Sequence, residues 1–337
     1  MIQLQKFKTL IDLLKYFNNE QVCRDYLELV RWNGNITCVY EDCGHDHVNK
    51  YSDGKRYKCA KCLRQFSVRV GSIFEDSKIP LSKWFAAIYL VTSHKKGISS
   101  LQLGKDLGVT QKTAWYLLHR VRHSLGLESK PVKLTGTVEA DESFFGGLEG
   151  NKHKSKRTEG TQGRSVVKKT PVAGVVQRGG KVRAEKVKDT GGTNLRRFVY
   201  DNVEPKSVLH TDEWYGYNGL SKLYDHSIVK HNSSEYVRGE CHTNTLEGYW
   251  SLVKRGCIGI YHSWSAKHLQ KYLDEFSFRY NTRTLSEEAR FNAMLGNIAT
   301  TLPYKHLISN EKKSDSIVLD GLTSDRQVEV KQGAFGF

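Results

Sequence analysis

Thr137-Val138-Glu139-Ala140-Asp141-Glu142-Ser143-Phe144-Phe145-Gly146-Gly147 reads as a strand that runs into a glycine turn. A second strand-like run, Ser207-Val208-Leu209-His210-Thr211-Asp212, is followed by Glu213-Trp214-Tyr215. Between the two, the sequence predicts strands at 171–178 and 181–189, meeting at Gly179-Gly180, and a helix at 193–202. A further strand near 226–231 precedes a helix beginning at Asn244. This strand-strand-strand-helix-strand-helix order predicts a mixed sheet with helices packed on it.

The same order fits a ribonuclease H-like fold and marks three acids. Asp141 and Asp212 occupy strand positions, and Glu247 in Asn244-Thr245-Leu246-Glu247-Gly248-Tyr249-Trp250 opens a helix. Carboxylates on two strands and a later helix can converge on one point and hold two Mg²⁺ or Mn²⁺ ions about 3.5–4 Å apart. Hard oxygen ligands select these ions over zinc. Other readings stay open: Glu247 also fits a capping box with Asn244, and Asp141 and Asp212 also fit turn-closing positions. Glu139, Glu142 and Glu213 are rival carboxylates. On the helix, Glu247 shares a polar stripe with Asn244, Ser251 and Lys254. The stretch 151–170 carries Lys152, Lys154, Lys156, Arg157, Arg164, Lys168 and Lys169 against Glu159. It is either a solvated loop or a clamp for DNA beside a metal site.

Outward toward the N-terminus, Cys38-x4-Cys43 and Cys59-x2-Cys62 lie 15 residues apart. Two such pairs can close a tetrahedron around Zn²⁺ with bonds of about 2.3 Å. With Tyr57 and Phe66 in flanking β-like segments, residues 34–72 outline a zinc ribbon. The first pair is loosely spaced, so His45 or His47 is an alternative to Cys43. Cys23, Cys241 and Cys257 lack ligand spacing.

Residues 1–33 read as helices, with apolar positions at Leu10, Leu13, Leu14 and Phe17, then Val22, Tyr26, Leu29 and Val30. Residues 80–127 predict a helix-turn-helix: a helix over 99–107, a turn at Gly108-Val109-Thr110 and a second helix from Gln111 to Arg122. Ala114, Leu117, Leu118 and Val121 share its inward face. Lys112, Trp115, Tyr116 and His119 take the opposite face, with Arg122 at its edge, a mixture suited to the major groove. A helical hairpin acting as a spacer is the alternative.

The 337 residues carry 52 Lys and Arg against 36 Asp and Glu, a formal charge of +16, which favours a polyanionic partner over a small metabolite. Hydrophobic residues at 38% are ample for packed cores and argue against global disorder. No run of 18 apolar residues exists, so no membrane helix is expected. The opening residues, Met1 to Lys8, lack the apolar region of a secretory leader. Together these features predict a soluble, intracellular protein that seeks nucleic acid.

Several motifs follow one another in order: Arg31-Trp32, the cysteine pairs, the helix-turn-helix, Glu139-Ala140-Asp141-Glu142 and Thr211-Asp212-Glu213. They continue through His242-Thr243-Asn244-Thr245-Leu246-Glu247-Gly248-Tyr249-Trp250-Ser251, Lys254-Arg255, Gly259-Ile260-Tyr261-His262, Lys267-His268-Leu269, Tyr272, Glu275-Phe276 and Arg279-Tyr280-Asn281. From about residue 7 to 290 the chain resembles bacterial insertion-sequence transposases of the DDE type, in the zinc-ribbon subgroup related to the eukaryotic Merlin elements. The resemblance implies catalytic acids at Asp141, Asp212 and Glu247 that bind Mg²⁺, and zinc ligands at Cys38, Cys43, Cys59 and Cys62. It implies cleavage at element ends, strand transfer into a target and a protein of the bacterial nucleoid that assembles on DNA as a homo-oligomer. The DNA contacts expected on this reading are Lys112, Trp115, Tyr116, His119, Arg122, Lys152, Lys154, Arg157, Lys254 and Arg255. The expected division is 1–33 helical, 34–72 zinc ribbon, 80–127 helix-turn-helix, 134–300 catalytic and 310–337 a tail. The competing readings are a DNA-binding regulator without chemistry and a nuclease without strand transfer.

Overall fold

The computed structural model describes residues 7–127, 132–146, 153–156, 169–229 and 241–309. Lys152, Arg157, Arg164, Lys168 and the 310–337 tail lie outside the described residues.

In the N-terminal half, α1 (Leu10–Tyr16) starts in a capping box. The Thr9 hydroxyl accepts from Asp12 N, and Thr9 N donates to the Asp12 carboxylate, both at 3.1 Å. Asn19 caps α2 (Glu20–Trp32), which ends at a left-handed Asn33. Leu13 and Phe17 are buried, whereas Leu14, placed inward by periodicity, is exposed. Three short antiparallel strands follow in the order β1 (Val48–Lys50), β2 (Arg56–Cys59) and β3 (Gln65–Ser67). Tyr57 and Phe66 stack at 5.5 Å, and Trp32 of α2 meets Tyr57 edge-on at 5.4 Å. The ribbon is thereby fastened to the helix before it.

Helices α3 (Leu81–Ser93), α4 (Ser100–Leu107) and α5 (Gln111–Leu125) complete this half. Gly108 adopts φ +60° to end α4, and the Thr110 hydroxyl caps α5 by accepting from Thr113 N at 3.2 Å. Ribbon and helices are not separate in their packing: Leu13, Tyr57, Trp84, Leu118 and Phe291 belong to one buried cluster. Phe291 comes from α9 (Glu287–Leu295), which sequence order placed in the catalytic region and which instead packs here.

The second half is a five-stranded sheet, β4 (Thr137–Phe145), β5 (Thr170–Gln177), β6 (Val182–Lys186), β7 (Val208–Asp212) and β8 (Asp225–Val229), in the order β6-β5-β4-β7-β8. β4 pairs antiparallel with β5 and parallel with β7. Period-two alternation sends Val138, Ala140, Ala173 and Val175 into one core with α6 (Gly192–Asn202). Val172 and Val176 enter the opposite core with α7 (Asn244–Gly256) and α8 (Leu269–Asn281). This is the ribonuclease H-like arrangement expected from the order of elements. Residues 302–309 belong to a separate unit containing α10 (Tyr304–Ile308). No helix among the described residues is long and apolar enough to cross a membrane.

The two halves meet where α5 packs on α8, and this corrects two expected DNA contacts. His119 is 0% exposed, with its ring 4.3 Å from Trp115 and 4.6 Å from His268. Burial, then the charges of Arg122, His268 and Lys271, push its pKa down to about 2, so the ring is neutral. Arg122 is 1% exposed and bonds Glu275 of α8 beneath the rings of Tyr261 and Tyr272. Arg279 bonds the same carboxylate, and Tyr261 donates to it at 2.6 Å. Burial alone would raise the Glu275 pKa, but the two arginines outweigh it and hold the group near 2. His119 and Arg122 therefore join α5 to α8 and do not face DNA. Glu275→Ala would leave two arginines buried without their acid, and it is expected to cost about 3–5 kcal/mol in denaturant unfolding. Wild-type stability in that variant would contradict the junction.

Candidate active site

Parallel pairing of β4 with β7 runs from Thr137–Val208 to Glu139–His210 and stops. The carboxylates lie just beyond: Asp141 and Glu142 in the middle of β4, which runs on beside β5 to Phe145, and Asp212 as the last residue of β7. One oxygen from each of Asp141, Glu142 and Asp212 lies within 4.8 Å of the other two. Each acid is held by a different donor. Asp141 accepts from Trp250 Nε1 at 3.1 Å, Asp212 from Trp214 N at 3.0 Å and Glu142 from the Tyr217 hydroxyl at 3.0 Å. Trp250 reaches Asp141 because Gly174 stands opposite that residue in register; a Cβ there would lie 2.5 Å from the indole.

Burial, then the negative charges of Glu142 and Asp212, push the Asp141 pKa up to about 8. Acids crowded in this way repel one another, and a divalent cation supplies the charge that brings them together. All three donors are hard oxygens, so the set fits Mg²⁺ or Mn²⁺.

The candidate residues are not all gathered into this cluster. Glu247 is exposed in the first turn of α7 and stands outside the 4.8 Å group, although its charge helps raise Asp141. Its carboxylate accepts from the Thr243 hydroxyl at 3.1 Å, so its local bond runs to Thr243 and not to Asn244. Of the rivals, Glu142 lies inside the cluster and Glu213 is exposed. Glu139 is buried against Arg178, whose Nε donates to it at 2.8 Å. Strand alternation could have revealed this role, since it places Glu139 on the Asp141 side of β4, facing α7.

The four cysteines do converge. Cys38 and Cys62 have their sulfurs 3.7 Å apart, as do Cys43 and Cys59, and all four lie within 4.8 Å of one another. A tetrahedron with 2.3 Å zinc–sulfur bonds has edges of about 3.8 Å, whereas a disulfide requires about 2.05 Å. The set fits zinc. Arg64, hydrogen-bonded to Cys62, pulls that thiol down to about 6. Cys43 thus takes the place for which His45 and His47 were alternatives.

Among the expected DNA contacts, Lys112, Lys154, Lys254 and Arg255 are exposed. Trp115 and Tyr116 are half-buried, Trp115 against His119 and Tyr116 beneath Arg120 at 4.6 Å. On α7, Glu247, Ser251 and Lys254 are all exposed at helical spacing.

Comparison with known proteins agrees with this geometry. Residues 133–281 match the ISXO2-like transposase domain, and residues 18–65 match the transposase zinc-ribbon domain. The first match ends before α9, the helix that packs on the N-terminal core. A Halobacterium salinarum protein described as an uncharacterized protein in transposable element ISH50 is 29% identical over 278 residues, covering 79% of this chain and 92% of that protein.

Proposed function

We propose, for a chain that belongs to the ISXO2-like, zinc-ribbon transposases of mobile elements, that it cuts DNA at element ends and joins those ends to target DNA. The observation that carries this reading is the convergence of Asp141 and Glu142, in the middle of β4, with Asp212 at the end of the parallel β7, beneath the helix bearing Glu247. Asp141, Asp212 and Glu247 are the catalytic acids in this reading, and Glu142 adds a fourth carboxylate beside them. Bound Mg²⁺ would lower the pKa of the attacking water or 3′-hydroxyl and stabilise the leaving oxygen. The protein orients the acids: Trp250 and the Trp214 amide aim Asp141 and Asp212, and Tyr217 aims Glu142. Lys254 and Arg255 meet phosphates flanking the cut, and Lys154 lies on the loop after β4. Zn²⁺ held by Cys38, Cys43, Cys59 and Cys62 shapes the ribbon. Lys112, with Trp115 and Tyr116 beside it, faces the end sequence. The protein acts in the cytoplasm on nucleoid DNA as a homo-oligomer.

Binding is tested on the DNA flanking the gene. Lys112→Ala is expected to weaken end binding, and Lys254→Ala and Arg255→Ala to lower affinity for all sequences alike. Removing one cation from a phosphate lowers the salt slope by roughly one unit. With Mg²⁺ the wild type should nick this DNA at the element boundary. Unchanged affinity and slope in all three variants, or no boundary nick, would contradict the reading.

A further inference from the structure

The first turn of α7 is capped by another strand instead of by its own sequence. Thr243, at the cap position, makes no side-chain bond to the helix amides; its hydroxyl donates to Glu247. The orphan amide of Leu246 donates to Glu139 Oε2 of β4 at 3.0 Å, and the Thr245 hydroxyl donates to Glu139 Oε1 at 2.8 Å. Glu139 is 0% exposed, and its third donor is Arg178. The same guanidinium donates to the His242 carbonyl at 3.0 Å and lies 3.0 Å from the ring nitrogens of His210 and His242. One strand therefore carries Asp141 and, two residues earlier on the same face, the cap of the helix that bears Glu247. One turn further along, Trp250 ties that helix to Asp141 itself.

We propose that Glu139 is a positioning residue: it fixes the first turn of α7 against β4 and so sets Glu247 at its working distance from the Asp141–Asp212 pair. This rests on the reading of Glu247 as a working carboxylate. Glu139 touches neither DNA nor reacting atoms. Glu139→Asp keeps the charge for Arg178 but is one methylene too short for Leu246 N, so it separates reach from charge. Residues that orient ligands in this way affect metal affinity or activity by about 10–100-fold.

The test uses the full chain. Hydrogen exchange of residues 241–250 should rise in Glu139→Gln and Glu139→Asp while the β5 and α8 amides stay protected. Calorimetric titration with Mn²⁺ should show affinity about tenfold weaker in Glu139→Gln, but less than twofold weaker when the same change is made in a Glu247→Gln chain. End cleavage by both Glu139 variants should lose kcat with the affinity for end DNA unchanged. Should either variant unfold globally, Thr245→Val removes a single arm of the cap and should still speed α7 exchange. Equal Mn²⁺ losses in both backgrounds, or α7 exchange at the wild-type rate, would overturn the proposal. The exchange measurement needs neither metal nor DNA, so its failure is distinguishable from failure of the transposase reading.

Discussion

Chelation of zinc is expected to unfold residues 38–67 and to loosen α2 with them. Four thiolates at tetrahedral spacing cannot stay together without a cation, so ion binding and ribbon folding are one event. For structural zinc sites the apparent binding energy is about 10–16 kcal/mol at neutral pH, as large as the stability of a whole domain. The damage should spread, because Trp32 packs on Tyr57 and Arg31 of α2 donates to the Val70 carbonyl at 2.9 Å. Metal analysis should return one zinc per chain, and Cys59→Ser should lose it. A zinc-free protein with a protected ribbon in hydrogen exchange would contradict this.

Asp141→Asn and Asp212→Asn are expected to lower end cleavage by about three orders of magnitude or more, since the metal's several kcal/mol of stabilisation is lost with its ligand. Glu247→Gln should fall in the same class, and Glu142→Gln should cost about 10–100-fold as a nearby ligand or orienting group. Glu213→Ala, exposed at the end of β7, should stay within about twofold. DNA binding should survive in all of these, because removing negative charge eases repulsion of phosphates. Gel assays of cleavage and binding on the same DNA check both halves. A normally active Glu247→Gln would leave that residue to its bond with Thr243.

What the sequence could convey follows from the range of each signal. Period-two alternation and glycine turns are local, and β4 runs over the expected residues 137–145. Cysteine spacing is local as well, and it brought four thiols together. Helical periodicity assigned Ala114, Leu117, Leu118 and Val121 to the inside of α5, where they are. It was blind to a second helix arriving on the other side. The partner of Arg122 is Glu275, 153 residues away, so a basic side chain that looked ready for DNA became half of a buried pair. Glu142, left open as a rival carboxylate, enters the cluster for a related reason. Adjacent strand residues point to opposite faces, but Asp212 lies past the end of the β4–β7 pairing and is within reach of both.

The central claim is that this chain joins element ends to other DNA through its clustered carboxylates. Its most direct test is a strand-transfer assay with pre-nicked DNA from the element's boundary, supercoiled target plasmid and Mg²⁺. The wild type is predicted to give joined products that disappear in Asp212→Asn although that variant still binds the ends. Joining by Asp212→Asn, or cutting by the wild type with no joined product, would contradict the account.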